Sequence, residues 1–246
     1  MNIINFEKKL IELTIKIIKQ SNSAHLGSCM SIKNILAVFF CKFYQNNSYY
    51  PLILSKGHAA AIYYSALHLV REIKKDQILE YCQNGSIFPG HLTKNENFKS
   101  LKFSSGSLGH GFPYTTGLAY SSIKKNEKKK YIVLISDGEL NEGTTWESFL
   151  ICKKLGLYNM TIVIDNNRFQ SYGSTKEVLN PYPIKKKIKS FGLNCIEING
   201  HSNKEIIAAF KKKTYVTKVI LANTIKGIGL GKLENTLDSH YLNNKI

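Results

Sequence analysis

The chain has 246 residues, 43% of them apolar, and a formal net charge of +17, which excludes a disordered chain and allows one large α/β domain or two small ones. Arg71 and Arg168 are its only arginines, and its lysines are scattered among many Ile and Asn residues; this reads as compositional bias rather than a nucleic-acid-reading surface, which favours the bidentate guanidinium. Cys29, Cys41, Cys82, Cys152 and Cys195 are widely spaced with no C-x-x-C pair, so a reduced, cytoplasmic compartment is the expectation.

The first segment carries Ile4, Leu10, Ile11, Ile17 and Ile18, interrupted at helical intervals by Glu7, Lys8, Lys9, Glu12, Lys16 and Lys19. This predicts an amphipathic helix, neither a signal peptide nor a membrane span. A polar turn over 21–28 leads to a second helix from Ile32 to Tyr44, and a short strand, Leu52 to Leu54, passes through Ser55-Lys56-Gly57-His58 into an Ala/Tyr-rich helix reaching about Glu72. A short helix over 75–83 is followed by a long loop, 85–108, which passes His91; a loop that long in a compact domain is usually functional. It ends at Ser104-Ser-Gly-Ser-Leu-Gly-His-Gly111, which opens a helix to about Ile123. A strand from Tyr131 to Ile135, a helix from Thr144 to Leu155 and a strand from Met160 to Asp165 come next. Last are a strand from Asn194 to Ile198, a helix from Ser202 to Lys213 capped by Ser202, and a strand from Val216 to Ala222. Alternating strands and helices predict an α/β fold, a mostly parallel central sheet with helices on both faces. No linker or repeat marks a boundary, so a single domain over 1–246 is expected.

The two central strands are β-branched, apolar and ended abruptly by small polar residues, as buried parallel strands look where they deliver loops to a site. The first ends in Ser136-Asp137-Gly138-Glu139, the second in Asp165-Asn166-Asn167. Asp137 and Asn167 lie 30 positions apart (167 minus 137), room for one strand, helix and strand. They would offer a carboxylate and an amide oxygen to one point, hard ligands suited to Mg2+ shared with a diphosphate. Asp-Gly after a strand is often only a turn, but Glu139, Asn141, Glu142 and the second strand's Asp-Asn-Asn end add to it. Gly138 lets backbone approach a phosphate, and the helix beginning near Thr144 offers its positive end. His25, His58, His91, His110 and His240 fall in predicted loops, where titratable groups for catalysis are usually placed; His68 and His201 read as structural. No Gly-Lys-Ser/Thr follows the glycine-rich loop and no G-x-G-x-x-G follows a strand. Cys29 near His25 lacks the rest of a triad.

Together these blocks resemble the transketolase family, specifically its N-terminal, diphosphate-binding part. Ser136-Asp-Gly138 followed by Asp165-Asn-Asn167 resembles the thiamine diphosphate signature. His25-Leu-Gly27, Leu54-Ser-Lys-Gly-His58, Pro89-Gly-His91, Ser105-Gly-Ser-Leu-Gly-His-Gly111, Glu142-Gly143, Asn199-Gly-His201, Thr224-Ile-Lys-Gly227 and His240 follow in the family's order. The resemblance implies that Asp137, Asn167 and the backbone carbonyl of Phe169 bind Mg2+. It further implies that His58, Gly138, Glu139 and Asn167 contact thiamine diphosphate, and that Gly106, Ser107 and Leu108 lie along it. His25, His91 and His240 would line the substrate channel and handle protons, with pKa values near neutral, and Glu142 would belong to a carboxylate network across a subunit interface.

The implied reaction is transfer of a two-carbon ketol unit from a ketose phosphate to an aldose phosphate, as in the pentose phosphate pathway. Ser136 replaces the first Gly of the usual Gly-Asp-Gly, and His110 stands where full-length transketolases commonly carry Gln, a form closer to separately encoded N-terminal subunits. Beyond His240 the expectation is that no pyrimidine-binding or C-terminal domain belongs to this chain. The expectation is a subunit inactive alone, paired with a C-terminal subunit that carries the pyrimidine-binding domain, in a dimer of such pairs, with no nucleic acid or membrane as partner. The alternatives are a subunit like 1-deoxyxylulose-5-phosphate synthase, which uses pyruvate, and a non-catalytic remnant of the fold.

Overall fold

The computed structural model describes residues 1–241. Five strands, β1 (Ile53–Leu54), β2 (Tyr131–Ser136), β3 (Met160–Asn166), β4 (Asn194–Asn199) and β5 (Lys218–Asn223), form one all-parallel sheet in the order β1-β2-β3-β5-β4. The helices in chain order are α1 (Ile3–Ser21), α2 (Leu26–Ser31), α3 (Lys33–Lys42), α4 (Ala60–Leu69), α5 (Lys75–Leu79), α6 (Gly111–Lys124), α7 (Gly143–Lys154), α8 (Thr175–Leu179), α9 (Ile184–Ser190) and α10 (Asn203–Lys211).

Because successive strand side chains point to opposite faces, the apolar strands feed two cores. Ile132 and Leu134 of β2, Val163 of β3 and Ile220 of β5 pack with α1, α3, α4 and α10. Val133 and Ile135, Ile162 and Ile164, and Val219 and Leu221 pack with α6, α7 and α9 on the other face. The connections from β1 through β2 and β3 to β4 run one way across the sheet, and the step from β4 to β5 runs back. Right-handed crossovers therefore place α6, α7 and α9 on one face and α10 on the other. Removing most of a fully buried strand side chain, as in Leu134→Ala, costs about 2–5 kcal/mol.

Local signals explain where elements begin and end. Asn2 Oδ1 accepts from the Asn5 amide at 2.8 Å to start α1, and Asn22 ends it in the left-handed region at φ 50°. Ser202 caps α10 as expected, accepting from the Glu205 amide. The short helix expected over 75–83 stops at Leu79, and Cys82 takes a φ of 56°, outside right-handed helix. Two elements between Asn167 and Asn194 have no counterpart among those expected. The five residues of α8 are too few for a periodic signal and rest on a Ser174/Glu177 capping box, while α9 buries only Ile184 and Ile188 among its lysines. Likewise, part of the stretch expected as a polar turn forms α2. All five cysteines are free, and no helix among the described residues is long and apolar enough to cross a membrane.

Candidate active site

The carboxyl ends of β1, β2, β3 and β5 deliver Ser55-Lys56-Gly57-His58, Asp137-Gly138, Asn167 and Thr224 to one edge of the sheet, where parallel α/β sheets characteristically place ligands. Asp165, the penultimate residue of β3, is fully buried at its centre. It forms an ion pair with the fully buried Lys56 and accepts from Ser31 Oγ at 2.7 Å, Asn167 Nδ2 at 2.9 Å and Thr224 Oγ1. Burial alone would raise the Asp165 carboxyl, but the Lys56 charge and these hydrogen bonds outweigh it and hold the group below the usual carboxylate range.

Asp137 has the opposite fate. Burial first, and then the charge of Asp165, push its carboxyl up to about 7, against the lowering effect of the Arg168 amide, which donates to Oδ2 at 2.6 Å. Arg168 adopts a φ of 69°. This left-handed turn folds the chain back so that the Phe169 amide also donates to Asn167 Oδ1 at 3.0 Å. Among the described residues no group of three His, Cys, Asp or Glu side chains is placed to hold a metal, so a cation here would have to use amide and carbonyl oxygens beside Asp137. The donor set fits a hard divalent ion: one under-compensated buried carboxylate, the Asn167 side-chain oxygen and the Phe169 carbonyl, on which no described hydrogen bond ends.

Four of the five loop histidines converge. The His25 ring lies 5.5 Å from His58, 5.2 Å from His91 and 4.7 Å from His240, centroid to centroid, and His58 lies 6.0 Å from His240. His110 is not among them; it sits exposed at the start of α6. His25 itself has a φ of 78°, which turns the chain into α2. The expectation of near-neutral pKa values is not met. Burial, followed by the positive neighbours His91, Lys226 and Lys56, lowers His25 to about 4; burial, then Lys226, His25, Lys56 and His91, lowers His240 to about 3. Burial, Lys56 and the neighbouring histidines also hold His58 well below its ordinary value, and burial lowers His91. In all four the surroundings favour the neutral imidazole.

Lys226, which in the sequence is only one member of the Thr224-Ile-Lys-Gly227 block, is 1% exposed. Its Nζ lies 3.0 Å from His240 Nδ1 and is in no ion pair among the described residues. Burial and then the Lys56 charge lower it to about 8. Here the structure leaves room for an anion as plainly as Asp137 leaves room for a cation. Lys56, Asp165 and Lys226 stand within motif blocks of the sequence, but none carries a role there, since each acts through partners distant in the chain.

The loop from Ser105 to Gly109 closes the site from the β1 side. A Cβ on Gly57 would stand 1.7 Å from the Ser105 carbonyl oxygen, so only glycine permits this approach. Ser107 Oγ meets His58 Nδ1, Leu108 is exposed, and a Cβ on Gly106 would meet only open space. Gly138 begins a single 3-10 turn directly after Asp137, its amide donating to Asp137 Oδ1 at 3.0 Å. Glu139, expected at the cofactor, is fully buried, with its carboxylate accepting from Ser55 Oγ at 2.5 Å, the Ser136 amide at 2.8 Å and the Gly109 amide at 3.2 Å. Its side chain braces the glycine-rich loop from beneath. Glu142 is half-buried at the start of α7, directly under Gly109.

The family model described as the thiamine diphosphate binding domain of transketolase matches residues 5–243. One of the subunits of the apulose-4-phosphate transketolase of Actinobacillus succinogenes is 35% identical over 191 residues, covering 77% of this chain and 69% of that protein. The 6-deoxy-6-sulfo-D-fructose transketolase subunit SqwG of a Clostridium species is 29% identical over 93% of this chain and 86% of its own length. Among solved structures, transketolase from Campylobacter jejuni superimposes with a TM-score of 0.90 at 27% identity over 98% of this chain, which spans only 40% of that one.

Proposed function

Because the chain belongs to the transketolase family, within its thiamine diphosphate binding domain, we propose that it is the cofactor-anchoring subunit of a two-chain enzyme that transfers a two-carbon ketol unit from a ketose phosphate to an aldose phosphate. The observation that carries this reading is a matched pair of charge deficits. At one sheet edge, buried Asp137 and buried Lys226 are each in no ion pair among the described residues, beside four histidines. A divalent metal diphosphate supplies a cation to the one and an anion to the other. Relatives of nearly this length are named as subunits, and the match to a solved transketolase covers two fifths of it. The subunit names support a second chain, which in this reading carries the pyrimidine-binding domain, in a dimer of such pairs.

In this reading Asp137, Asn167 and the Phe169 carbonyl hold Mg2+, while His58, the Gly138 amide and Lys226 bind the diphosphate. Gly106, Ser107 and Leu108 line the cofactor's flank. When bound, thiamine diphosphate supplies a carbon nucleophile and an electron sink. The chain's own part is orientation and proton handling. An ammonium only donates, so Lys226 at 3.0 Å leaves His240 Nδ1 as acceptor and places that ring's proton on Nε2, beside Ser171 Oγ at 3.5 Å. His25 and His91, neutral and adjacent, accept and return protons from sugar hydroxyls. Bound diphosphate, being anionic, would raise all these histidines toward the range where such transfers are efficient. Glu142 faces the second subunit from the rim.

The test is ketol transfer measured with the purified chain, with and without a candidate partner, using xylulose 5-phosphate and pyruvate as alternative donors. Turnover is expected only with the partner and only with the ketose. Robust activity of the chain alone would sink the two-chain reading, and preference for pyruvate would move it to the deoxyxylulose phosphate synthase class. Losing even an outer-shell partner typically costs 10–100-fold, so Asp137→Ala should weaken thiamine diphosphate binding in Mg2+ by roughly 100-fold or more, read by calorimetry of the assembled pair.

A further inference from the structure

At the opposite edge of the sheet, where β2, β3 and β5 begin, lies a cavity of about 860 Å³. Two lysine runs far apart in the chain, 128–130 before β2 and 211–213 at the end of α10, meet around it with Lys218 of β5, and Glu127 is the only carboxylate in its walls. None of these seven lysines is in an ion pair among the described residues. A solvated lysine face is ordinarily convex and interspersed with acids; this one is concave and nearly of one sign. Lys218 is 6% exposed, and its Nζ spends its three donors on the carbonyls of Ala209, Phe210 and Lys212 at 2.9, 2.8 and 3.0 Å. Burial and the nearby Lys130 charge lower it to about 8. The cavity thus concentrates positive charge that no ion pair among the described residues neutralises.

The walls are also aromatic. Tyr215 is fully exposed and Tyr158 is 61% exposed, large rings left standing beside the lysines, and the Lys130 ammonium sits 5.2 Å above the Tyr49 ring. Asn159 donates through Nδ2 to the carbonyls of Ala119 and Lys129, while its Oδ1 is buried without a partner.

We propose that this cavity binds a nucleoside polyphosphate, with its phosphates on the two lysine runs and its base against Tyr158 or Tyr215. The volume falls in the range of small-molecule sites, about 300–1,000 Å³. The site is separate from the carboxyl-edge cleft, since β3 carries the chain from Thr161 in the cavity wall to Asp165 and Asn166 at the other end.

The experiment is titration calorimetry of the full chain in thiamine diphosphate and Mg2+, so that the carboxyl-edge cleft does not compete, with ATP, inorganic tripolyphosphate and a short oligouridylate as probes. ATP should bind at one per chain and more tightly than tripolyphosphate. Lys130→Glu with Lys212→Glu, both exposed positions, should weaken ATP at least tenfold. Tyr215→Ala should weaken it roughly fivefold or more, the loss expected of a base-stacking ring. Lys74→Glu with Lys75→Glu, an exposed pair outside the cavity, controls for net charge and should leave ATP affinity within twofold. The proposal is overturned if ATP gives no saturable binding, if the control pair weakens it as much as the cavity pair, or if tripolyphosphate binds as tightly as ATP. It is also overturned if oligouridylate binds more tightly than ATP with the same lysine dependence, which would make the cavity part of a nucleic-acid surface.

Discussion

At the carboxyl edge of the sheet, Lys56 is fully buried against the Asp165 carboxylate, which takes three further hydrogen bonds. At the amino edge, Lys218 is nearly as buried but meets only three backbone carbonyls at the end of α10. The first ammonium compensates a charge the site needs, and the second satisfies helix-end acceptors while adding to a positive field. Fully buried charge is costly unless paired, so the two edges should answer the same substitution differently.

The largest effect is expected from Lys56→Met. It strands Asp165 as a buried charge and should cost about 3–5 kcal/mol in the urea unfolding free energy. A loss under 1 kcal/mol would reduce the pair to the rank of a surface contact. Lys218→Met leaves three carbonyls without donors but no uncompensated charge, so its cost should be smaller, about 1–3 kcal/mol by the same measurement. Equal losses at the two positions would erase the distinction between the edges.

The histidine cluster sharpens the comparison through pH. His25 and His240 titrate at about 4 and about 3 when folded, below the ordinary histidine value of 6.5. The unfolded chain therefore binds more protons between these values, and stability rises with pH across that window. The contribution is complete above pH 6.5 and is lost as pH falls toward 4 and then 3. His240→Gln should flatten the slope across the window, seen as melting temperature against pH; an unchanged slope would show that His240 is not held neutral by the fold. The smallest effect is expected from Lys130→Met at the exposed amino edge, within about 0.5 kcal/mol of the parent.

Much of the architecture is legible in the sequence. The apolar runs at 131–135 and 160–165, each ended by small polar residues, mark central strands and the loops they deliver, and Asp137, Asn167 and four of the five loop histidines do share one edge. The contacts of Glu139 are not legible, because an acidic residue after Asp-Gly reads the same whether or not it holds Gly109 and Ser136 from below, as it does here. His110 groups with the other histidines in the sequence because loop membership says nothing of direction. The short helices α8 and α9 give no periodic signal, one being held by a capping box and the other by two buried isoleucines.

The chain by itself determined the alternation of elements, the two-faced strands and the order of the family's motifs, because these depend on residues close in sequence and on a period of two or 3.6. Tertiary structure alone decided which charges meet. Lys56 finds Asp165, Lys226 finds His240, and the lysine runs at 128–130 and 211–213 close around one cavity, only because a parallel sheet gathers the ends of distant strands at the same edge. It also decided protonation, since burial and neighbouring charge, which no local pattern encodes, favour the neutral form of the histidines and raise the Asp137 carboxyl.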